Sequence, residues 1–187
     1  MKTEVNRWKQ ILLWTFVFFF CFGLSGFVHF VSSNYRKISC EFCQSKFENV
    51  PKENWIVIYP GLVGCGKKCP LALEALRQFR IRFKETNFNF YFLVTDANEK
   101  EEDIQNYLQY YQTSLSIEAL RPNTNDEVQT YRRLGAYLPE HEVLKQRDEH
   151  GTQFFLIPPN RKEIYALPKL EKSDWAKIQK EISSQPK

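Results

Sequence analysis

Two cysteines four residues apart, Cys65 and Cys69, are the residues of this chain best suited to chemistry. They lie between a short strand-like run at 55–59 and an amphipathic helical pattern that continues from 71 to about 84. Pro70 suits a first helical turn, where its missing N–H is not needed, and a helix N-terminus favours thiolate over thiol. If the turn begins near Cys65, the spacing places both sulfurs on one face, where they can form a disulfide or bind a soft metal ion.

The three histidines of the chain are the candidates for a third metal ligand, since imidazole can complete a copper site that two thiolates begin. His29 lies in an apolar segment, and His141 and His150 lie in a charged, loop-like stretch. His150 comes just before a predicted strand at 153–157, which can lie beside the strand that leads to Cys65. Position therefore favours His150, although a solvated surface histidine is the simpler interpretation.

Composition limits the classes of function. The 187 residues are enough for one domain and a tail. The 26 Lys and Arg residues against 22 Asp and Glu give a formal charge of +4 without a dense basic block, so nucleic acid is not expected as a partner. Aromatic residues make up 16% of the chain and are frequent near the N-terminus and in strand-like runs, which points to a membrane segment and a core.

The N-terminal region reads as a membrane anchor. Residues 11–31 carry no formal charge and are long enough to cross a hydrocarbon core of about 30 Å. The run is longer and bulkier than the core of a signal peptide, so an uncleaved anchor is favoured and Cys21 is interpreted as a buried membrane thiol. The cationic tail at 1–10 should stay in the cytoplasm. We expect a single-pass inner-membrane protein whose domain lies in the periplasm or an equivalent exported space.

A second cysteine pair, Cys40 and Cys43, lies in a polar approach at 32–54, ahead of the main domain at 55–187. The C-x-x-C spacing suits a small loop closed by a disulfide and, equally, a second redox or metal-binding pair. An exported location makes disulfides possible for every cysteine after the anchor. The spacing alone leaves both interpretations open.

The remaining pattern predicts an α/β domain in which strands and helices alternate. Thr124 and Glu127 form a capping box that starts a helix, and Ser173 is the predicted cap of the last helix. Further strands are predicted at 88–94, 115–120, 153–157 and 163–167, and a further helix at 100–112. A sheet of this kind has its reactive turn at the carboxyl end of a strand, where the cysteines lie.

Three motifs in register resemble the Sco/SenC proteins. Residues 59–70 resemble that family's C-x-x-x-C-P turn, residues 92–96 its strand ending in an aspartate, and residues 148–161 its histidine motif followed by a strand and a turn. The resemblance covers residue 55 to the end. It implies a thioredoxin-like fold, with a central mixed sheet flanked by helices.

The resemblance also implies a function. Such a protein binds copper, as Cu(I) or Cu(II), through Cys65, Cys69 and His150. It helps to assemble the copper centre of cytochrome c oxidase, so the expected partner is the copper-site subunit or another thiol or copper protein. Asp96 matches the family's aspartate, but its simplest interpretation is a turn or capping residue.

The cysteine turn departs from the family at Gly66, Lys67 and Lys68, where a proline and then an acidic residue are usual. Two lysines beside two thiolates lower the cysteine pKa values and weaken the case for holding a cation. An exported thiol–disulfide oxidoreductase that uses the catalytic redox pair Cys65 and Cys69 without a metal is therefore the alternative. A purely structural disulfide and a thiol-based sensor are further readings.

Overall fold

The computed structural model of the chain describes residues 13–20, 36–136, 138, 153–167, 170 and 172–184. The chain divides into two compact units, Met1–Tyr35 and Arg36–Lys187. The described part of the first unit is a helix, α1, at 13–20, and its large apolar side chains are exposed. Among the described helices, none has both the length and the apolar character required to cross a bilayer. The anchor at 11–31 stays a prediction.

The second unit is built on a mixed six-stranded sheet in the order β1-β6-β5-β2-β3-β4. β2 runs parallel to β3, and β3 to β4, whereas β5 pairs antiparallel with both β2 and β6, and β1 pairs antiparallel with β6. The strands are β1 Arg36–Ser39, β2 Trp55–Gly61, β3 Phe88–Val94, β4 Ile117–Leu120, β5 Phe154–Ile157 and β6 Glu163–Leu167. The helices are α2 Cys43–Lys46, α3 Lys68–Arg82, α4 Glu101–Leu115, α5 Asn125–Arg133 and α6 Lys172–Ser184.

The architecture confirms the predicted α/β class with a central mixed sheet. All seven residues of β2 are buried, as expected of a central strand covered on both faces. β5 lies directly beside β2, with Phe155 opposite Ile58, which confirms the predicted neighbour of the strand that leads to the cysteines. The end of β2 and the start of β5 therefore lie at the same edge of the sheet.

Two helix starts test the predicted caps. The Thr124 side chain accepts a hydrogen bond from the Glu127 backbone N–H at 3.2 Å, which confirms it as the N-cap of α5. The predicted cap at Ser173 is wrong. α6 already begins at Lys172, so Ser173 lies inside the first turn instead of preceding it.

The segment 36–54 contributes β1 and α2, elements that the sequence pattern did not predict. Cys40 and Cys43 form a disulfide between them, with a Cα–Cα distance of 5.5 Å. Both are buried in the same apolar cluster as Tyr131, Phe155 and Ile164. The structure therefore has the disulfide that closes the predicted loop.

A buried ion pair attaches α2 to the start of α5. The Lys46 ammonium lies 2.9 Å from a Glu127 carboxylate oxygen, and their side chains are only 12% and 5% exposed. Lys46 also donates to the Arg121 backbone carbonyl at 2.8 Å, and the Glu127 carboxylate accepts from the Asn123 backbone N–H at 3.2 Å. Such a pair is costly to break because it leaves a buried charge without a partner.

Replacing Lys46 by Met should lower the free energy of unfolding by about 3 kcal/mol, because the Glu127 carboxylate stays buried without its cation. The double variant Lys46→Met/Glu127→Gln should regain much of that loss. Urea denaturation measures both. Lys37→Met, which removes the exposed pair with Glu163, is the control and should change stability little. If Lys46→Met and Lys37→Met lower the free energy of unfolding equally, the buried pair is no more costly to break than the exposed pair, which would contradict the prediction.

Candidate functional site

The two predicted site cysteines lie where β2 leads into α3, with Cys65 in the connecting loop and Cys69 as the second residue of the helix. Both are thiols and not a disulfide, and both are buried, with Cys65 8% and Cys69 0% exposed. α3 begins at Lys68, so Pro70 is in its first turn, as predicted. Cys65 precedes the helix, so the assumption that the turn starts there is wrong. The thiols still meet, because the Cys65 side chain hydrogen-bonds to that of Cys69.

The Leu62 carbonyl oxygen connects the two cysteines. It accepts a hydrogen bond from the Cys65 backbone N–H at 3.2 Å and lies 3.7 Å from the Cys69 Sγ, whose S–H donates to it. Gly64, between Leu62 and Cys65, has a φ of 71°, a left-handed conformation that glycine adopts without steric cost. The tight loop that brings the sulfurs together therefore depends on this glycine.

Tyr59 is a site residue that the sequence pattern did not single out. It is fully buried in β2 and donates its phenolic O–H to the Cys69 Sγ at 3.4 Å. Its ring lies against Phe92, with centroids 6.0 Å apart, and against Phe154, at 5.2 Å. A tyrosine in a wholly buried strand needs a partner for its hydroxyl, and this was the available signal.

Burial dominates the electrostatics of the site. It raises the pKa of the Cys69 thiol to about 12, and the neighbouring Cys65 thiol adds to the shift while the Tyr59 hydroxyl opposes it. Burial likewise raises the pKa values of Tyr59 and Tyr107, with the charge of a Cys69 thiolate as the second cause in both. The prediction that the lysines and the helix N-terminus lower the cysteine pKa is wrong for Cys69, because the loss of water outweighs them.

The connection from β3 to α4 holds the start of the cysteine loop. The Gly61 carbonyl accepts from the Thr95 backbone N–H at 3.1 Å and from its hydroxyl at 2.8 Å. The Val63 backbone N–H donates to a Glu99 carboxylate oxygen at 2.6 Å. Gly61 itself has no room for a side chain, because a Cβ would lie 2.3 Å from the Phe92 ring.

Some of the other predicted residues take ordinary positions, and the rest lie outside the described residues. Asp96 is a turn residue, since its carboxylate accepts from the Asn98 backbone N–H at 2.9 Å. Lys67 is exposed and occupies the N-cap position of α3 without a side-chain capping bond, and Lys68 is the first residue of the helix. The remaining candidates lie outside the described residues; these are Cys21, His29, His141 and His150.

The donor set of the described residues fits a soft metal ion in part. Two adjacent thiols are the ligands that Cu(I) prefers once they lose their protons. Within the described ranges, no three His, Cys, Asp or Glu side chains come together as a metal-binding group. The same thiols can also form a disulfide, with loss of two electrons and two protons.

The raised pKa of Cys69 predicts a loss of stability at alkaline pH. The unfolded thiol ionises near its ordinary value of 9.0, whereas the folded thiol keeps its proton until about pH 12. Between these values the folded state binds more protons, so the free energy of unfolding falls as pH rises, by up to about 1.4 kcal/mol per pH unit for one proton. Urea denaturation from pH 8.5 to 9.5, where most tyrosines of the unfolded chain keep their protons, should show a shallower fall in Cys69→Ala than in the parent chain. Cys21→Ser is the control, and its free energy of unfolding should fall with pH as steeply as that of the parent chain. An equally steep fall in Cys69→Ala would show that the Cys69 thiol is not the cause.

Solved structures with a similar fold include Sco proteins. The chain matches the crystal structure of yeast Sco1 with a TM-score of 0.54 and 23% identity, over 71% of this chain and 85% of that one. It matches yeast Sco1 with copper bound with a TM-score of 0.52 and 22% identity, over 71% and 77% of the two chains. It matches Arabidopsis thaliana ScoI with copper bound with a TM-score of 0.55 and 16% identity, over 74% of this chain and 89% of that one.

No family model and no curated protein sequence matches the chain. The structural matches extend over most of both chains in each comparison. They show that this chain has the thioredoxin-like α/β fold of the Sco proteins.

Proposed function

We propose that this chain is a membrane-anchored Sco-type protein that binds copper as its cargo and helps to assemble the copper centre of cytochrome c oxidase. The observation that carries the proposal is the pair of buried thiols, in hydrogen-bond contact, at the β2–α3 turn of this fold. The yeast and Arabidopsis structures with this fold hold copper. The oxidase, through its copper-site subunit, follows as partner from the resemblance of the sequence motifs to the Sco/SenC proteins.

Cys65, Cys69 and His150 are the proposed ligands. Strand pairing supports His150, because β5 starts with Phe154, whose ring lies 5.2 Å from that of Tyr59, the residue that donates to Cys69. His150 comes four positions before Phe154. Four residues can span up to about 14 Å, a length that allows His150 to approach the sulfurs. Two thiolates and a neutral imidazole suit Cu(I).

The anchor and the arrangement of domains belong to the same proposal. Residues 1–10 form the cytoplasmic tail and 11–31 the membrane helix, and the dithiol domain follows in the periplasm or an equivalent exported space. The exposed apolar side chains of α1, such as Trp14 and Phe19, at 70% and 69%, suit a lipid environment. The Cys40–Cys43 disulfide agrees with an oxidising compartment.

The full chain in detergent should bind one Cu(I), and His150→Ala should weaken binding by about tenfold or more, because one of three ligands is lost. Competition with a chromophoric Cu(I) chelator measures the affinity. His141→Ala is the matched control, a second histidine of the same stretch, and should bind as the parent does. An unchanged affinity in His150→Ala would exclude the three-ligand site.

A thiol–disulfide oxidoreductase is the second candidate, favoured by the direct contact of the two thiols. In that reaction Cys65 and Cys69 form a disulfide while the two electrons and two protons pass to a partner disulfide. Metal-free chain that reduces a disulfide peptide, with loss of activity in Cys65→Ala and no tight Cu(I) binding, would favour this function over the first.

The anchor predicts that the chain stays in the membrane fraction after extraction with alkaline carbonate. Replacing Phe18, Phe19 and Phe20 together by Asp should release it, because charges in the apolar segment oppose insertion. A matched triple replacement by Leu should leave it in the membrane. Release of the parent chain by carbonate would refute the anchor.

A further inference from the structure

One peptide group in the cysteine loop, between Leu62 and Val63, has both of its polar atoms engaged. Its carbonyl oxygen faces the cysteines, accepting from the Cys65 backbone N–H at 3.2 Å and from the Cys69 thiol at 3.7 Å. Its N–H faces away and donates to the Glu99 carboxylate at 2.6 Å. A peptide group is planar, so whatever fixes the direction of the N–H also fixes that of the carbonyl.

Glu99 is held in turn by the residues around it. Its backbone N–H donates to the Asp96 carbonyl at 3.3 Å, and its own carbonyl accepts from the Arg121 guanidinium. Arg121 also contacts the Ala97 carbonyl at 3.5 Å, and its backbone carbonyl accepts from the buried Lys46 ammonium at 2.8 Å. The turn that carries the Glu99 carboxylate is therefore held in place by hydrogen bonds from the Arg121 guanidinium.

We propose that Glu99 is the positioning residue of the dithiol site. Its carboxylate orients the Leu62–Val63 peptide, and the carbonyl of that peptide holds Cys65 and Cys69 at the separation that their chemistry requires. A hydrogen bond from an N–H to a carboxylate is about twice as strong as one between neutral groups, which suits this task. The inference deepens the proposed function, because copper binding and disulfide formation both need the two sulfurs at a defined separation.

The experiment measures how readily the two thiols form their disulfide at one fixed pH. The full chain in detergent is equilibrated with mixtures of reduced and oxidised dithiothreitol; as the Cys65–Cys69 bond forms, the oxidised reagent takes up the two electrons and two protons. Alkylation and mass spectrometry of peptides then quantify this pair separately from Cys21 and from the Cys40–Cys43 disulfide. No copper is present.

Glu99→Ala should shift the equilibrium towards the dithiol by about tenfold, because the loss of one charge-assisted hydrogen bond lowers the effective concentration of one thiol at the other. Glu99→Gln keeps an acceptor oxygen and should stay within about threefold of the parent chain. Glu102→Ala, the matched control, removes the same charge from an exposed position in the first turn of α4 and should not shift the equilibrium.

A parent-like equilibrium in Glu99→Ala overturns the proposal, and so does an equal shift in Glu102→Ala, which would indicate a general effect of charge. A shift in Glu99→Gln as large as the one in Glu99→Ala also overturns the proposal. Thermal unfolding shows whether each variant folds. If Glu99→Ala does not fold, Arg121→Ala is used instead, because it loosens the same turn and leaves the Glu99 carboxylate intact. Arg121→Ala should shift the equilibrium towards the dithiol. An unchanged equilibrium in Arg121→Ala rejects the proposal. A chain that passes this test without binding copper would retain the positioning role and lose only the copper function.

Discussion

The burial of the Cys69 sulfur is the constraint on which the rest of the site depends. A thiolate costs free energy where water is excluded, so its neighbours determine what it can do. Tyr59 offers an O–H donor from β2, and the Leu62 carbonyl accepts the S–H while the sulfur is protonated. A soft cation shared by Cys65 and Cys69 would balance the negative charge that burial disfavours. The same burial that keeps the thiol neutral thus favours a metal thiolate over a bare one.

Strand order explains why these groups meet. Because β2 lies between β3 and β5, the carboxyl ends of β2 and β3 share an edge with the amino end of β5. The cysteine loop, the turn that carries Thr95 and Glu99, and the start of β5 at Phe154 are therefore neighbours, although they are far apart in the chain. The site is therefore formed by several loops that meet at this edge of the sheet, and the short C-x-x-x-C motif supplies only its sulfurs.

Local patterns predict the parts of this fold that have local causes. The apolar run at 88–94 coincides with β3, and Thr124 caps α5 through a residue three positions away. β1 has a single apolar residue and is a strand because it pairs with the distant β6, which no local window contains. Burial of every residue in β2 removes the alternation that would show which way Tyr59 faces. Nor does the sequence show how little water reaches Cys69, and this reversed its predicted pKa shift.

Lys67 and Lys68 affect this sulfur less than their positions in the sequence suggest. Lys67 is exposed and Lys68 is half-buried, and charges in contact with water are strongly screened. The groups that shift the Cys69 pKa are buried ones, with the loss of water first and then Tyr59, Leu62 and Cys65. These two lysines therefore do little to oppose a cation that the buried sulfurs would hold. The departure of this turn from the acidic pattern of Sco proteins is compatible with a metal site, because the affinity of such a site depends on its buried donors.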